Sequence, residues 1–305
     1  MRIDPKQQWL VKYPKARRAR YLPIVKQFEE ITGLDIVELL EDTRRSIAKG
    51  QPPAVAFWAF RVYRNEMLET GHARTTVNTW YSVIRSFFTA NFVALPKLED
   101  FPSQLDSEYE PDWAPSQDEV RKMVTTRNRI LDKAIIAFLA QTGQRVGVLT
   151  AMKRGMITRV GSHGIVEVSP RQQDARGEKV NKFEVRHKFV IGEDTMRLLD
   201  SLPENADGWL FKVRRRQISR IIVTAATDAG IQKDIPTKIR GRKLHQVHPH
   251  TFRRYFETQV KDMNDKQREF LMGHRIEGKT YAEGLLTNEK LIEAYIRVEP
   301  HLAVL

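Results

Sequence analysis

Apolar residues recur at helical spacing along most of this chain, and they fall into two groups. In the first group, YLPIVKQFEEITG (21–33) closes on Gly33, a helix-stop signal. Asp35 opens IVELLEDTRRSIAKG (36–50), which ends at Gly50. Pro52 and Pro53 stand where a third helix begins, and AVAFWAFRVYRNEMLETG (54–71) follows. Thr75 and Thr76 are placed to cap a fourth, in which Trp80, Val83, Ile84, Phe87 and Phe88 share one face. This pattern predicts a four-helix module over residues 21–93. Residues 1–20 are basic and aperiodic, and they read as an arm.

Periodicity then stops. Residues 94–115 are rich in proline and acid, which predicts a linker. Ser116 followed by Glu119 is a capping box that opens a second domain over residues 116–287. RILDKAIIAFLAQT (129–142) is apolar nearly all round and reads as a buried helix ending at Gly143. The period then shortens. GIVEVSP (164–170) and KFEVRHKFVIG (182–192) read as a β-hairpin with a long polar loop, RQQDARGEKVN, between them. Helical text returns at residues 193–203, 216–230, 248–260 and 266–272. The last helix and tail, 288–305, carry Leu291, Ile292, Tyr295, Val298 and Leu302 on an apolar face that suits either a partner molecule or its own domain. The expected fold is mainly α with a small β-hairpin or sheet, in two domains.

Composition narrows the chemistry. There are no cysteines, which excludes disulfides, cysteine-ligated zinc and thiol nucleophiles. No apolar run approaches the roughly 20 residues that cross a bilayer. The basic N-terminus lacks the apolar stretch of a secretion signal, so a cytoplasmic protein is expected. The net charge of +13 favours a polyanion partner, nucleic acid foremost. Basic clusters at 15–20, 214–216, 238–243 and 253–254 could each touch phosphate, or could each be a solvated face.

Away from its core the second domain offers Arg145, Arg253, a hairpin lysine (Lys179 or Lys182), His250, His274 and Tyr281. His250 and Arg253 are three apart and share a helix face. Arg145 lies just past a buried helix, where a structural ion pair would also account for it. His163, His187, His245 and His301 have no ligand spacing and read as ordinary surface or core residues. No carboxylate cluster of metal-binding type and no glycine-rich phosphate loop is present, GSHG (161–164) being a turn. The set suits metal-free phosphoryl transfer. Guanidiniums can hold phosphate oxygens, a tyrosine can attack, a histidine can take its proton and a lysine can protonate the leaving oxygen.

Three stretches resemble boxes of the tyrosine recombinase (phage integrase) family. TGQRVGVL (142–149) resembles its TGxRxxEL box, HPHTFRRYFET (248–258) its HxLRHTFAT box, and FLMGH (270–274) its LLGH box. Tyr281 follows where the family's nucleophile lies, and the tail looks most like archaeal integrases. The resemblance implies a helical core-binding domain followed by a recombinase catalytic domain. It implies a site-specific recombinase that cuts and rejoins DNA through a 3′-phosphotyrosine, with no metal or nucleotide cofactor. Arg145 and Arg253 would then clamp the scissile phosphate, His250 would act as acid and base, His274 would hydrogen-bond the phosphate, and Tyr281 would attack. Aligning KFVIG (188–192) with a family strand favours Lys182 as the proton donor, ahead of Lys179. The implied partner is double-stranded DNA, gripped by both domains of a homo-tetramer on paired sites, in the cytoplasm at the nucleoid. A monomer in solution is compatible with this.

Two departures accompany the resemblance. Val148 stands where the family box has an acid, and the interval from His274 to Tyr281 is about two residues short. Tyr295 and Tyr255 are the other tyrosines considered, and core packing is the expected role of each. Competing functions are a DNA-binding accessory protein with weakened catalysis and a DNA-relaxing enzyme of type IB topoisomerase character.

Overall fold

The computed structural model describes residues 4–95, 113–177, 179–181, 186–235, 244–274, 276 and 286–305. The described chain falls into two compact units, within residues 1–108 and within 109–305.

The first unit is helical: α1 (Pro5–Leu10), α2 (Lys15–Thr32), α3 (Ile36–Ala48), α4 (Ala54–Glu69) and α5 (Arg74–Ala90). Its core is built from aromatics. Phe28, Phe60, Tyr63, Phe87 and Phe88 are all buried, mostly in edge-to-face or tilted contacts. The expected arm over residues 1–20 is corrected, because residues 5–10 form α1 and α2 begins at Lys15. Trp9 anchors it: the ring is buried against Phe87 and Tyr21, and its Nε1 donates to Ser86 Oγ at 2.8 Å. The first turns of α2 carry exposed Lys15, Arg17 and Arg20, so no apolar stripe betrays them in the sequence. Thr75 and Thr76 do not cap α5, since its N-cap is Ala73. Asp35 does cap α3, its carboxylate accepting from Val37 and Glu38 N–H groups.

The second unit opens as expected. Ser116 and Glu119 close a capping box on α6 (Gln117–Thr125), with Oγ accepting from Glu119 N and Ser116 N donating to Glu119 Oε2 at 2.7 Å. α7 (Ile130–Thr142) is buried over most of its surface and forms the centre of the unit. A five-residue α8 (Val146–Thr150) follows. The sheet has three strands where the sequence predicts a hairpin. β1 (Ile157–Val160), β2 (His163–Val168) and β3 (His187–Ile191) form an antiparallel meander in that order. α9 (Glu193–Asp200) and α10 (Arg215–Asp228) follow, then the short pair β4 (Asp234–Ile235) and β5 (Leu244–His245). α11 (Pro249–Gln259) and α12 (Asp265–Leu271) pack beside α7 and β3 respectively.

The chain ends in α13 (Asn288–Leu302), seated on its own unit. Leu291, Tyr295 and Leu302 are fully buried. Tyr295 donates its hydroxyl proton to Gln141 O at 2.9 Å, and the Glu299 carboxylate accepts from Glu193 N and meets His163 Nε2 at 2.6 Å. Beyond the helix, Asp194 accepts from the Val304 and Leu305 N–H groups. No described helix is long and apolar enough to cross a membrane.

Candidate active site

The site is assembled from three chain turns. The first is the exit of α7. Gly143 has φ +60° and lies so near α11 that a Cβ there would sit 2.7 Å from the Phe256 ring, so only glycine fits. This close approach brings the α7–α8 turn against α11, and Arg253 Nη1 donates to Gly143 O at 3.1 Å. Two residues later Arg145 is the N-cap of α8, half-buried.

The second turn is the start of α11. His248 is its N-cap and Pro249 its first residue, a position where proline's missing N–H is harmless. His250 is exposed, and Arg253 lies one turn further on, only 5% exposed. Burial pushes the Arg253 guanidinium down to about 10, and the Arg145 charge adds to this against the opposing pull of Glu257 and Glu269. It therefore stays charged at neutral pH. Burial likewise lowers Arg145. His250 is held below the ordinary histidine value, first by the protein beneath the ring and then by Arg253, Arg254, His248 and Arg145. Its imidazole is neutral at pH 7 and can accept a proton.

The third turn is the end of α12. His274 is half-buried, and its Nε2 meets Arg253 Nη2 while its Nδ1 meets the Glu269 carboxylate. Four predicted residues, Arg145, His250, Arg253 and His274, are thus brought into one electrostatic neighbourhood. Lys182 and Tyr281 lie outside the described residues. Lys179 is exposed in a small turn closed by its bridge to Gln173 and by Val180 N donating to Gln172 O at 3.1 Å. Tyr255 and Tyr295 are both fully buried, with their hydroxyls donating to His301 O and Gln141 O. Burial raises both phenols well above their ordinary value.

The sequence reading missed two supports. Glu269 supplies a carboxylate where Val148, buried in the core, does not. His187, taken for an ordinary histidine, is 2% exposed and lies under Gly273, whose absent Cβ would stand 2.8 Å from its ring. Gln144 ties these turns together, donating to Leu271 O at 2.5 Å and facing His187 Nε2 at 3.2 Å. Because the Gln144 amide nitrogen is the donor to Leu271, its oxygen is the acceptor and His187 Nε2 carries the proton. Among the described residues, no three His, Asp or Glu side chains are grouped to hold a metal ion.

No protein-family model matches the chain, and no curated protein matches it. Solved structures do. The Tn1549 transposon integrase in complex with transposon right end DNA is 14% identical, covering 99% of this chain and 100% of that one, with TM-score 0.57. The XerH site-specific recombinase bound to palindromic difH substrate, in a post-cleavage complex, is 12% identical over 77% of this chain and 68% of that one, with TM-score 0.53. The Tn1549 integrase in complex with circular intermediate DNA is 14% identical over 96% and 99% of the two chains, with TM-score 0.51. The chain has the tyrosine-recombinase fold. At such low identity the likeness is one of architecture: a helical N-terminal unit, then a mainly helical unit with a small antiparallel sheet. Within the tyrosine-recombinase fold of this chain, Arg145 follows the central buried helix α7, and His250, Arg253 and His274 come from α11 and the end of α12.

Proposed function

We propose that this chain is a site-specific DNA recombinase of the tyrosine recombinase family, cutting and rejoining duplex DNA through a 3′-phosphotyrosine. The observation that carries the reading is the convergence of Arg145, Arg253, His250 and His274 from three separate turns of this fold. Two guanidiniums placed where they repel one another suit an anion with two oxygens to share. The DNA in the complexes of the similar structures agrees with duplex DNA as the partner.

In this mechanism Tyr281 attacks the scissile phosphorus, and His250, neutral before reaction, takes its proton. The P–O5′ bond breaks, and Lys182, or else Lys179, protonates the leaving 5′ oxygen. Arg145 and Arg253 hold the nonbridging oxygens as charge builds at five-coordinate phosphorus, and His274 adds a further donor. The tyrosyl ester keeps the energy of the broken bond, so rejoining runs by the reverse step without a nucleotide or a metal ion. The burial of Tyr255 and Tyr295 supports Tyr281 as the nucleophile. The helical module, to which α1 now belongs, and the catalytic domain would both bind DNA phosphates across the acidic linker. The working form would be a tetramer on paired sites, in the cytoplasm at the nucleoid. The tail resembles that of archaeal integrases, and we read the chain as of that kind.

The test is a nicked duplex that loses its 5′ fragment on cleavage, incubated with the protein in EDTA. An SDS-resistant protein–DNA adduct is expected from the wild type and none from Tyr281→Phe, with DNA binding nearly unchanged. No adduct from the wild type on any target DNA would favour an accessory DNA-binding role.

A further inference from the structure

The end of α12 is a Schellman turn. His274 N donates to Glu269 O at 2.9 Å, Gly273 N donates to Phe270 O at 3.0 Å, and Gly273 has φ +70°. This closure sets the side chains of the two residues it joins, Glu269 and His274, against one another. Such a pair is usually apolar. Here it is a carboxylate and an imidazole, in contact at Nδ1. The other ring nitrogen faces Arg253 Nη2. A guanidinium has no acceptor, so Nε2 must be the acceptor and Nδ1 must carry the proton that Glu269 holds. Beneath the turn, His187 lies against Gly273.

We propose that Glu269 is a positioning residue that holds the His274 ring by its Nδ1 proton and carries it through an exchange of partners when phosphate binds. In the free protein His274 Nε2 accepts from Arg253. On arrival of the phosphate, Arg253 Nη2 turns to an oxygen of the anion. The ring takes one proton from solvent at Nε2 and donates it, as a hydrogen bond, to the same phosphate. One donor–acceptor pair thus becomes two donors aimed at the anion, and the Glu269 charge stabilises the imidazolium. Among the described residues, Glu269 on α12 and Arg253 on α11 meet the ring, Arg145 and Glu257 act in turn on Arg253, and His187 on β3 lies under the neighbouring Gly273. In this exchange the phosphate, by taking Arg253 Nη2, frees Nε2 to receive the proton, which couples proton uptake to binding. This inference deepens the recombinase reading and rests on it for the identity of the anion.

Two measurements test it. The first needs no activity: ¹⁵N spectra of histidine-labelled protein without DNA, with His274→Gln assigning the resonance. Wild type and Glu269→Gln, whose amide oxygen still accepts, are expected to show a hydrogen-bonded Nδ1–H protected from solvent exchange, and Glu269→Ala to lose that protection. The second is the rate of adduct formation against pH. Glu269→Gln should react about tenfold more slowly at pH 8 with little loss at pH 6, and Glu269→Ala should lose about 10- to 100-fold throughout. An Nδ1–H equally protected in Glu269→Ala would overturn the proposal, and so would one pH profile shared by all three proteins. If the wild type forms no adduct, the recombinase reading fails, and the spectra still decide the role of Glu269.

Discussion

The two units bury charge in opposite ways. In the first, Lys6 Nζ lies 2.8 Å from Glu29 and 3.5 Å from Asp35. Burial alone would lower the Lys6 ammonium, but the two carboxylates outweigh it and raise it. The same Glu29 oxygen accepts from Ile36 N at 3.1 Å, so the cluster joins α1, α2 and the start of α3. In the second unit Arg145, Arg253 and His250 are drawn together, and each arginine lowers the proton affinity of its neighbours. The first arrangement stabilises a fold. The second draws like charges together, with Glu257 and Glu269 offsetting part of the repulsion at Arg253, an arrangement that suits an anion.

Arg253→Ala tests this contrast most severely. Loss of a buried transition-state contact should slow cleavage by about 10²- to 10³-fold or more, read as the rate of adduct formation. Arg253→Met should meanwhile cost less than about 3 kcal/mol of stability, since the Gly143 carbonyl it leaves unsatisfied is set against the removal of a desolvated charge. A loss of about 3 kcal/mol or more in denaturant unfolding would show a structural ion partner instead. Arg145→Ala should slow cleavage by about 10²-fold, DNA binding changing far less.

A smaller effect is expected at His250. Its folded value lies below the unfolded one, so the unfolded chain binds more protons between the two. Stability from this group is complete above the ordinary histidine value and is lost as pH falls through the folded value. Arg254→Gln should raise the His250 midpoint in an NMR titration and move the acidic limb of the cleavage profile upward. An unmoved midpoint would remove Arg254 from the account. Smallest of all, Lys6→Met should cost about 0.5–1 kcal/mol of stability, since the cluster is partly exposed, and leave the cleavage rate alone.

Much of this contrast is legible in the sequence, and what is not has physical causes. Helices with a buried stripe, such as α7 and α13, announce themselves by periodicity. α1 and the start of α2 do not, because two buried residues, Trp9 and Leu10, hold the first and exposed basic residues fill the second. β1 is exposed at Thr158, Arg159 and Val160, so it has no apolar alternation to read. His250 and Arg253 are visible as a helical pair. Glu269 is not, because its link to His274 is made by a turn closing over Gly273 rather than by helical spacing. His187 is hidden likewise, since its place follows from the missing side chain of Gly273.

The central claim is that the repelling cluster serves a covalent step at one tyrosine. Peptide mapping of the adduct trapped on nicked DNA tests it directly. The account predicts the DNA on Tyr281 and no adduct from Arg253→Ala on the same time scale. DNA on Tyr295 or Tyr255, both buried and hydrogen-bonded here, would contradict it.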